Sequence, residues 1–144
     1  MKVMPTLFYR IIRYWIPPIS WMSLIFYLSS NHRVAITGTF TFDFVIFKSL
    51  HMIEYAILYF LLFRAFYSIS NPSTSLRTNK QLTINKKLFI PVLLSVLYAI
   101  TDEFHQTFVP SREGRVRDVL IDTSGILLMY IYIKNNLRVI KKFL

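Results

Sequence analysis

Asp102, Glu103, His105 and Gln106 lie together in a stretch, 88–109, that is otherwise apolar enough to cross a membrane. An ionisable side chain in hydrocarbon costs about 2.5 kcal/mol or more at mid-bilayer, so such groups generally have a partner and a purpose. Other chemistry-bearing residues recur at helical spacing. Lys48, His51 and Tyr55 share one helix face with Glu54 at its edge; Asp102, His105 and Gln106 share a second; Asp118, Asp122 and Gly125 share a third. Arg112, Arg115 and Arg117 fill the short connection between the last two groups.

Three chemistries suit this set. In an enzyme, Asp102 and His105 form an acid–base pair, with His51 as a further general base or nucleophile, because imidazole titrates near neutrality. Lys48 and Arg112 then hold a phosphate or a developing oxyanion. Glu54, Tyr55, Glu103, Gln106, Asp118 and Asp122 complete the substrate pocket. In a metal site, His51, Asp102, His105 and Asp118 or Asp122 would be the ligands. Their spacing matches no dedicated metal motif, so neither a metal nor another cofactor is expected. In a binding protein the same residues hold an anionic headgroup without turnover. The plainest alternative is interhelical hydrogen bonding, with Lys48 neutralising one carboxylate. His32 reads as a loop residue, and Glu113 pairs with a neighbouring arginine at little energetic gain.

The elements that must position these groups are apolar helices. Of 144 residues, 54% are hydrophobic and 17% aromatic, and the mean hydropathy is +0.46. That composition predicts an all-α, polytopic membrane bundle folded as one domain over 1–144. Four transmembrane helices are expected at 14–30, 45–66, 88–109 and 116–133, each near the roughly 20 residues that cross about 30 Å of hydrocarbon. Pro17 and Pro18 mark either the first turn of a helix or the interior of one that begins earlier, and Pro91 is placed in an opening turn. Tyr14, Trp15, Trp21, Tyr130 and Tyr132 read as interfacial aromatics. Phe40, Phe42, Phe44 and Phe47 read as interfacial or core residues. The polar segment 67–87 reads as a cytoplasmic loop. The basic, oily amino terminus lacks a small-residue cleavage pattern and is read as a retained span.

The net charge of +10 is distributed as a topology signal. With both termini cytoplasmic, twelve of the 17 Lys and Arg residues face inward, leaving Arg33, Lys48, Arg112, Arg115 and Arg117 outside. No basic helix or aromatic platform stands apart from the apolar segments, so nucleic acid is not an expected partner. Cysteine is absent, which removes disulfide and thiolate chemistry. On this topology every span brings its polar residues to the outer end, Ser29, Ser30 and Asn31 included.

The pattern Lys48-x-x-His51-x-x-x-Tyr55, Asp102-Glu103-x-His105-Gln106-x-Phe108, Pro110-Ser111-Arg112 and Asp118-x-x-x-Asp122-x-x-Gly125 resembles the VanZ-like family. The resemblance covers the second to fourth spans and extends to Leu28-Ser29-Ser30. Family members often have Gly at the position of Ser111 and Asn at that of Asp122, so this chain carries an additional carboxylate. The resemblance implies a multi-pass protein of the bacterial cell membrane linked to teicoplanin resistance. The implied partner is a membrane lipid or a lipid-linked cell-wall intermediate.

Overall fold

Apolar runs interrupted only by isolated polar residues leave a backbone little choice but to satisfy its own hydrogen bonds as helix. The computed structural model describes residues 7–31, 38–69, 77–110 and 112–140, and among these all regular structure is helical. The order is α1 (Leu7–Ser29), α2 (Phe40–Ile69), α3 (Arg77–Gln106), α4 (Val116–Asn135) and a single turn, α5 (Leu137–Ile140). Two segments, Thr41–Ser68 in α2 and Ile84–Gln106 in α3, are long and apolar enough to cross a membrane.

The helices extend beyond the limits that hydropathy sets. α1 begins at Leu7, so Pro17 and Pro18 are interior residues. α3 begins at Arg77, inside the segment expected to be a loop, and Pro91 therefore lies mid-helix rather than in an opening turn. Residues 77–87 are polar but contain no helix breaker, so the helix continues past its apolar stretch. α3 ends at Gln106, three residues short of the expected limit, and gives way to turns closed by Thr107 N–H to Phe104 O and Phe108 N–H to His105 O. Residues 70–76, His32, Arg33 and Ser111 lie outside the described residues.

Consecutive helices run antiparallel. At one end Trp15 meets the edge of Phe66, with ring centroids 5.2 Å apart, and the Lys87 ammonium lies 5.0 Å from the Tyr67 ring. At the other end the carboxy termini of α1 and α3 meet the amino termini of α2 and α4. The core is built around α2: Tyr55, Leu58, Tyr59 and Phe63 are fully buried against Ile25, Ala99, Ile126 and Ile133. Trp21, expected at an interface, instead donates from Nε1 to Glu54 O at 2.9 Å and fastens α1 to α2. Tyr98 Oη donates to Met22 O at 2.6 Å and fastens α3 to α1.

The most extensive helix–helix packing joins α2 and α4. It depends on Gly125, where any Cβ would overlap the Met52 carbonyl. Gly125→Ala must therefore push two backbones apart. It is expected to cost about 1–3 kcal/mol from overpacking, despite alanine's better helix propensity, whereas Ser124→Ala on the exposed side should be neutral. Thermal unfolding of the two variants in detergent, followed by circular dichroism, checks this.

Candidate functional site

The helix ends that converge carry the predicted polar residues, and the structure sorts them into three groups. The first is a clasp across α1 and α3. The Ser29 hydroxyl donates to Asp102 Oδ1 at 2.6 Å, and Gln106 Nε2 donates to Asp102 Oδ2 at 2.9 Å. Both acceptor oxygens of a buried carboxylate are thereby used. Arg112 folds back on the same corner, with Nε donating to Asn31 O at 2.7 Å and Nη2 to Leu28 O at 2.8 Å. A guanidinium at a helix carboxy terminus satisfies orphan carbonyls and opposes the negative end of the dipole. The α1 end is thus locked to the loop that precedes α4.

The second group is an ion pair across the α2–α4 contact. Lys48 Nζ lies 2.6 Å from Asp118 Oδ2, and both side chains are less than a tenth exposed. Arg117 approaches the other oxygen of Asp118 at 3.5 Å while its guanidinium covers the Phe44 ring at 4.8 Å.

The third group is less complete. His51 Nδ1 lies 3.6 Å from Asp122 Oδ1, too far for a hydrogen bond. Glu103 accepts the Arg115 backbone N–H on Oε2 at 3.1 Å. Gly114 permits this, because a side chain there would overlap the Glu103 carbonyl. The remaining atoms, His51 Nδ1, Glu103 Oε1 and both oxygens of Asp122, are buried with no hydrogen-bond partner. Tyr55 is fully buried in the same region, and its hydroxyl also lacks a hydrogen bond.

A cavity of about 180 Å³ adjoins these groups. Ser29, His51, Glu54 and Arg112 supply its polar lining; Ile25, Leu28, Phe47 and Leu50 supply its apolar walls. It lies where the end of α1 meets the first turns of α2, and it is large enough for a polar headgroup but not for a whole lipid.

The sequence matches the VanZ/LLP1 family over residues 6–139. The chain belongs to that family. No curated protein and no solved structure matches it.

Among the motif residues by which the chain resembles VanZ-like proteins, most of those on α2, α3 and α4 meet at this end of the bundle. His105 does not join them as expected. Its ring packs on Phe26, centroids 4.4 Å apart, and its Nδ1 has no hydrogen-bond partner. Asp102, spent on Ser29 and Gln106, makes no hydrogen bond to His105, so the anticipated acid–base pair is not assembled. Glu113 pairs with Arg115 on the surface. Two contributions escaped the sequence reading. Ser29 was placed near the site but not in it, and the contact of Glu103 with the Arg115 backbone was not anticipated. The signal for Ser29 was its place one turn after Ile25, on the face of α1 that enters the core.

Removing one partner of a buried ion pair leaves an uncompensated charge, at a cost of about 3–5 kcal/mol. Lys48→Met should destabilise by that order, and Lys48→Met combined with Asp118→Leu should recover most of the loss. A double-mutant cycle of unfolding in mixed detergent measures the coupling, and additive losses would contradict it.

Proposed function

We propose that this VanZ-family protein spans the membrane four times, with both termini in the cytoplasm, and receives the polar part of an envelope amphiphile in the cavity between α1 and α2. The observation that carries the reading is the mixed lining of that cavity. His51, Glu54 and Arg112 offer charge and hydrogen bonds, and Ile25, Leu28, Phe47 and Leu50 offer apolar contact. An amphiphile needs both kinds of contact. Arg112 is held by two main-chain carbonyls, so its guanidinium is fixed before any ligand arrives, which lowers the ordering cost of binding.

Two features support four spans: the apolar lengths of α2 and α3, and the outer surface of the bundle. α1 exposes Ile16, Ile19, Leu24 and Phe26, and α4 exposes Leu120, Leu127, Leu128 and Ile131. Exposed aliphatic residues along every helix suit lipid, not water. At about 1.5 Å per residue, the 20 residues of α4 reach about 30 Å, the thickness of the hydrocarbon core. Arg117, Asp118 and Asp122 lie in its first two turns, toward the outer face, and Lys134 lies in its last turn, toward the cytoplasm. The positive-inside bias assigns the polar end to the outside.

Binding is favoured over turnover because the acid–base pair is not formed, while the cavity is. The ligand is an envelope lipid or a lipid-linked wall intermediate, and its sequestration or exposure would alter the response to teicoplanin. Delipidated protein presented with anionic, zwitterionic and uncharged amphiphiles of equal chain length tests this by native mass spectrometry. Phosphate-bearing ligands should be retained over the uncharged one, and Leu28→Trp, which fills the cavity, should lower retention at least about tenfold. Equal retention of all three, insensitive to Leu28→Trp, would sink the proposal.

Topology has its own test, made simple by the lack of native cysteine. Arg115→Cys should react with a membrane-impermeant maleimide in intact cells, and Asn85→Cys should react only after permeabilisation. The reverse pattern would invert the assignment.

A further inference from the structure

We propose that His51, Glu103 and Asp122 bind a divalent transition-metal ion, with zinc and manganese as the best-suited candidates. The three residues come from α2, α3 and α4, and one ligand atom from each lies within 4.8 Å of the others. Around a single ion at about 2.1 Å, ligand atoms stand no more than about 4.2 Å apart. Small side-chain rotations therefore suffice to close the triad, with no movement of the helices.

The strongest argument is what these atoms lack. Glu103 and Asp122 are 4% and 1% exposed, yet Glu103 Oε1 and both oxygens of Asp122 have no hydrogen-bond partner, nor has His51 Nδ1. Buried polar atoms are nearly always paired, and orphans converging on one point need a ligand to explain them. Among the neighbouring carboxylates, Asp102 is satisfied on both oxygens, by Ser29 and Gln106, and Asp118 has an ion-pair partner in Lys48 although its Oδ1 also lacks a hydrogen bond. Among the described ion pairs Glu103 has no cationic partner, and Asp122 faces only His51. Two buried carboxylates thus keep unpartnered oxygens, and a divalent cation would balance both.

The donor set narrows the ion. One imidazole and two carboxylates, without thiolate, suit zinc, manganese or ferrous iron better than cuprous copper, and the imidazole argues against calcium and magnesium. Three protein ligands leave at least one coordination position open. The Arg115 N–H bond to Glu103 Oε2 orients that carboxylate, as outer-shell contacts do in metal sites, and leaves Oε1 available. His51 belongs both to the triad and to the cavity wall, so the ion would lie beside the cavity.

The test uses the full chain, purified in detergent without a polyhistidine tag, stripped with chelator and delipidated, so that its outcome is independent of any amphiphile. After dialysis against Zn²⁺ or Mn²⁺, elemental analysis should find about one ion per chain, and the ion should raise the unfolding temperature. His51→Ala, Glu103→Gln and Asp122→Asn should each reduce the bound metal to background. His105→Ala and Glu113→Gln, outside the triad, should retain it. Substituting Co²⁺ should give visible ligand-field bands in the parent chain that His51→Ala shifts or abolishes. Monodisperse, helical parent protein that takes up no metal would overturn the proposal, since a proton shared between the carboxylates would then suffice. Retention of metal when all three residues are substituted would overturn it equally. Should the triad variants fail to fold, the parent chain's metal content and Co²⁺ spectrum still decide the matter.

Discussion

The contact of α2 with α4 at Gly125 and Met52 is the constraint on which the polar end of the bundle depends. Without a side chain at Gly125 the two backbones come close enough to touch, as small residues allow in membrane bundles. Asp122 lies three residues before Gly125, and His51 directly precedes Met52. The distance between the helices at the glycine therefore fixes the separation of His51 and Asp122, and, one turn further out, that of Lys48 and Asp118. An ion pair at 2.6 Å between two buried side chains tolerates little adjustment, because lengthening it strengthens neither desolvated charge. The packing motif and the electrostatic motif are consequently one device.

Within that frame the polar residues divide by whether their hydrogen-bonding capacity is used. Asp102 with Ser29, Gln106 and Arg112 forms a closed network that ties α1 to α3 and to the loop before α4. Such a network makes one arrangement of the helix ends more stable than its alternatives. Lys48 and Asp118 do the same for α2 and α4. His51, Glu103 and Asp122 do not close on each other, and His51 lines the cavity. Satisfied groups hold the scaffold, and unsatisfied ones mark where something else belongs. The bland reading made from sequence, interhelical hydrogen bonding with Lys48 neutralising a carboxylate, thus describes Asp102 and Asp118 but not His105 or Asp122.

What the sequence revealed follows from which physical signals are local. The stripe of Lys48, His51 and Tyr55 and that of Asp118 and Asp122 were legible because the 3.6-residue period places them on one face, and each helix presents that face to the other. The limits of α1 and α3 were not legible. Hydropathy reports where a helix becomes apolar, and residues 77–87 are polar helix continuing into apolar helix. The contact that Glu103 makes was not legible for a related reason. Periodicity assigns α3 one polar face through Asp102, His105 and Gln106, but α3 packs between α1 and α4 and needs polar residues on both flanks. Adjacent residues, about 100° apart on the helix, serve the two flanks: Asp102 meets Ser29 of α1, and Glu103 meets the amino end of α4. His105, one turn on from Asp102, is left to Phe26.

Depth completes the argument. His51 lies eleven residues after Phe40, roughly 16 Å along α2, and Asp122 lies six residues after Val116, roughly 9 Å along α4. His51 therefore lies about three turns and Asp122 nearly two turns inside the bundle, while Glu103 lies within one turn of the end of α3. A carboxylate at the depth of Asp122 without proton, cation or hydrogen bond would be expelled or neutralised. Asp122 is buried to 1% exposure beside another carboxylate and an imidazole. Such an arrangement is costly as scaffold, where a Leu or Asn would pack as well, and it becomes intelligible when the site is filled.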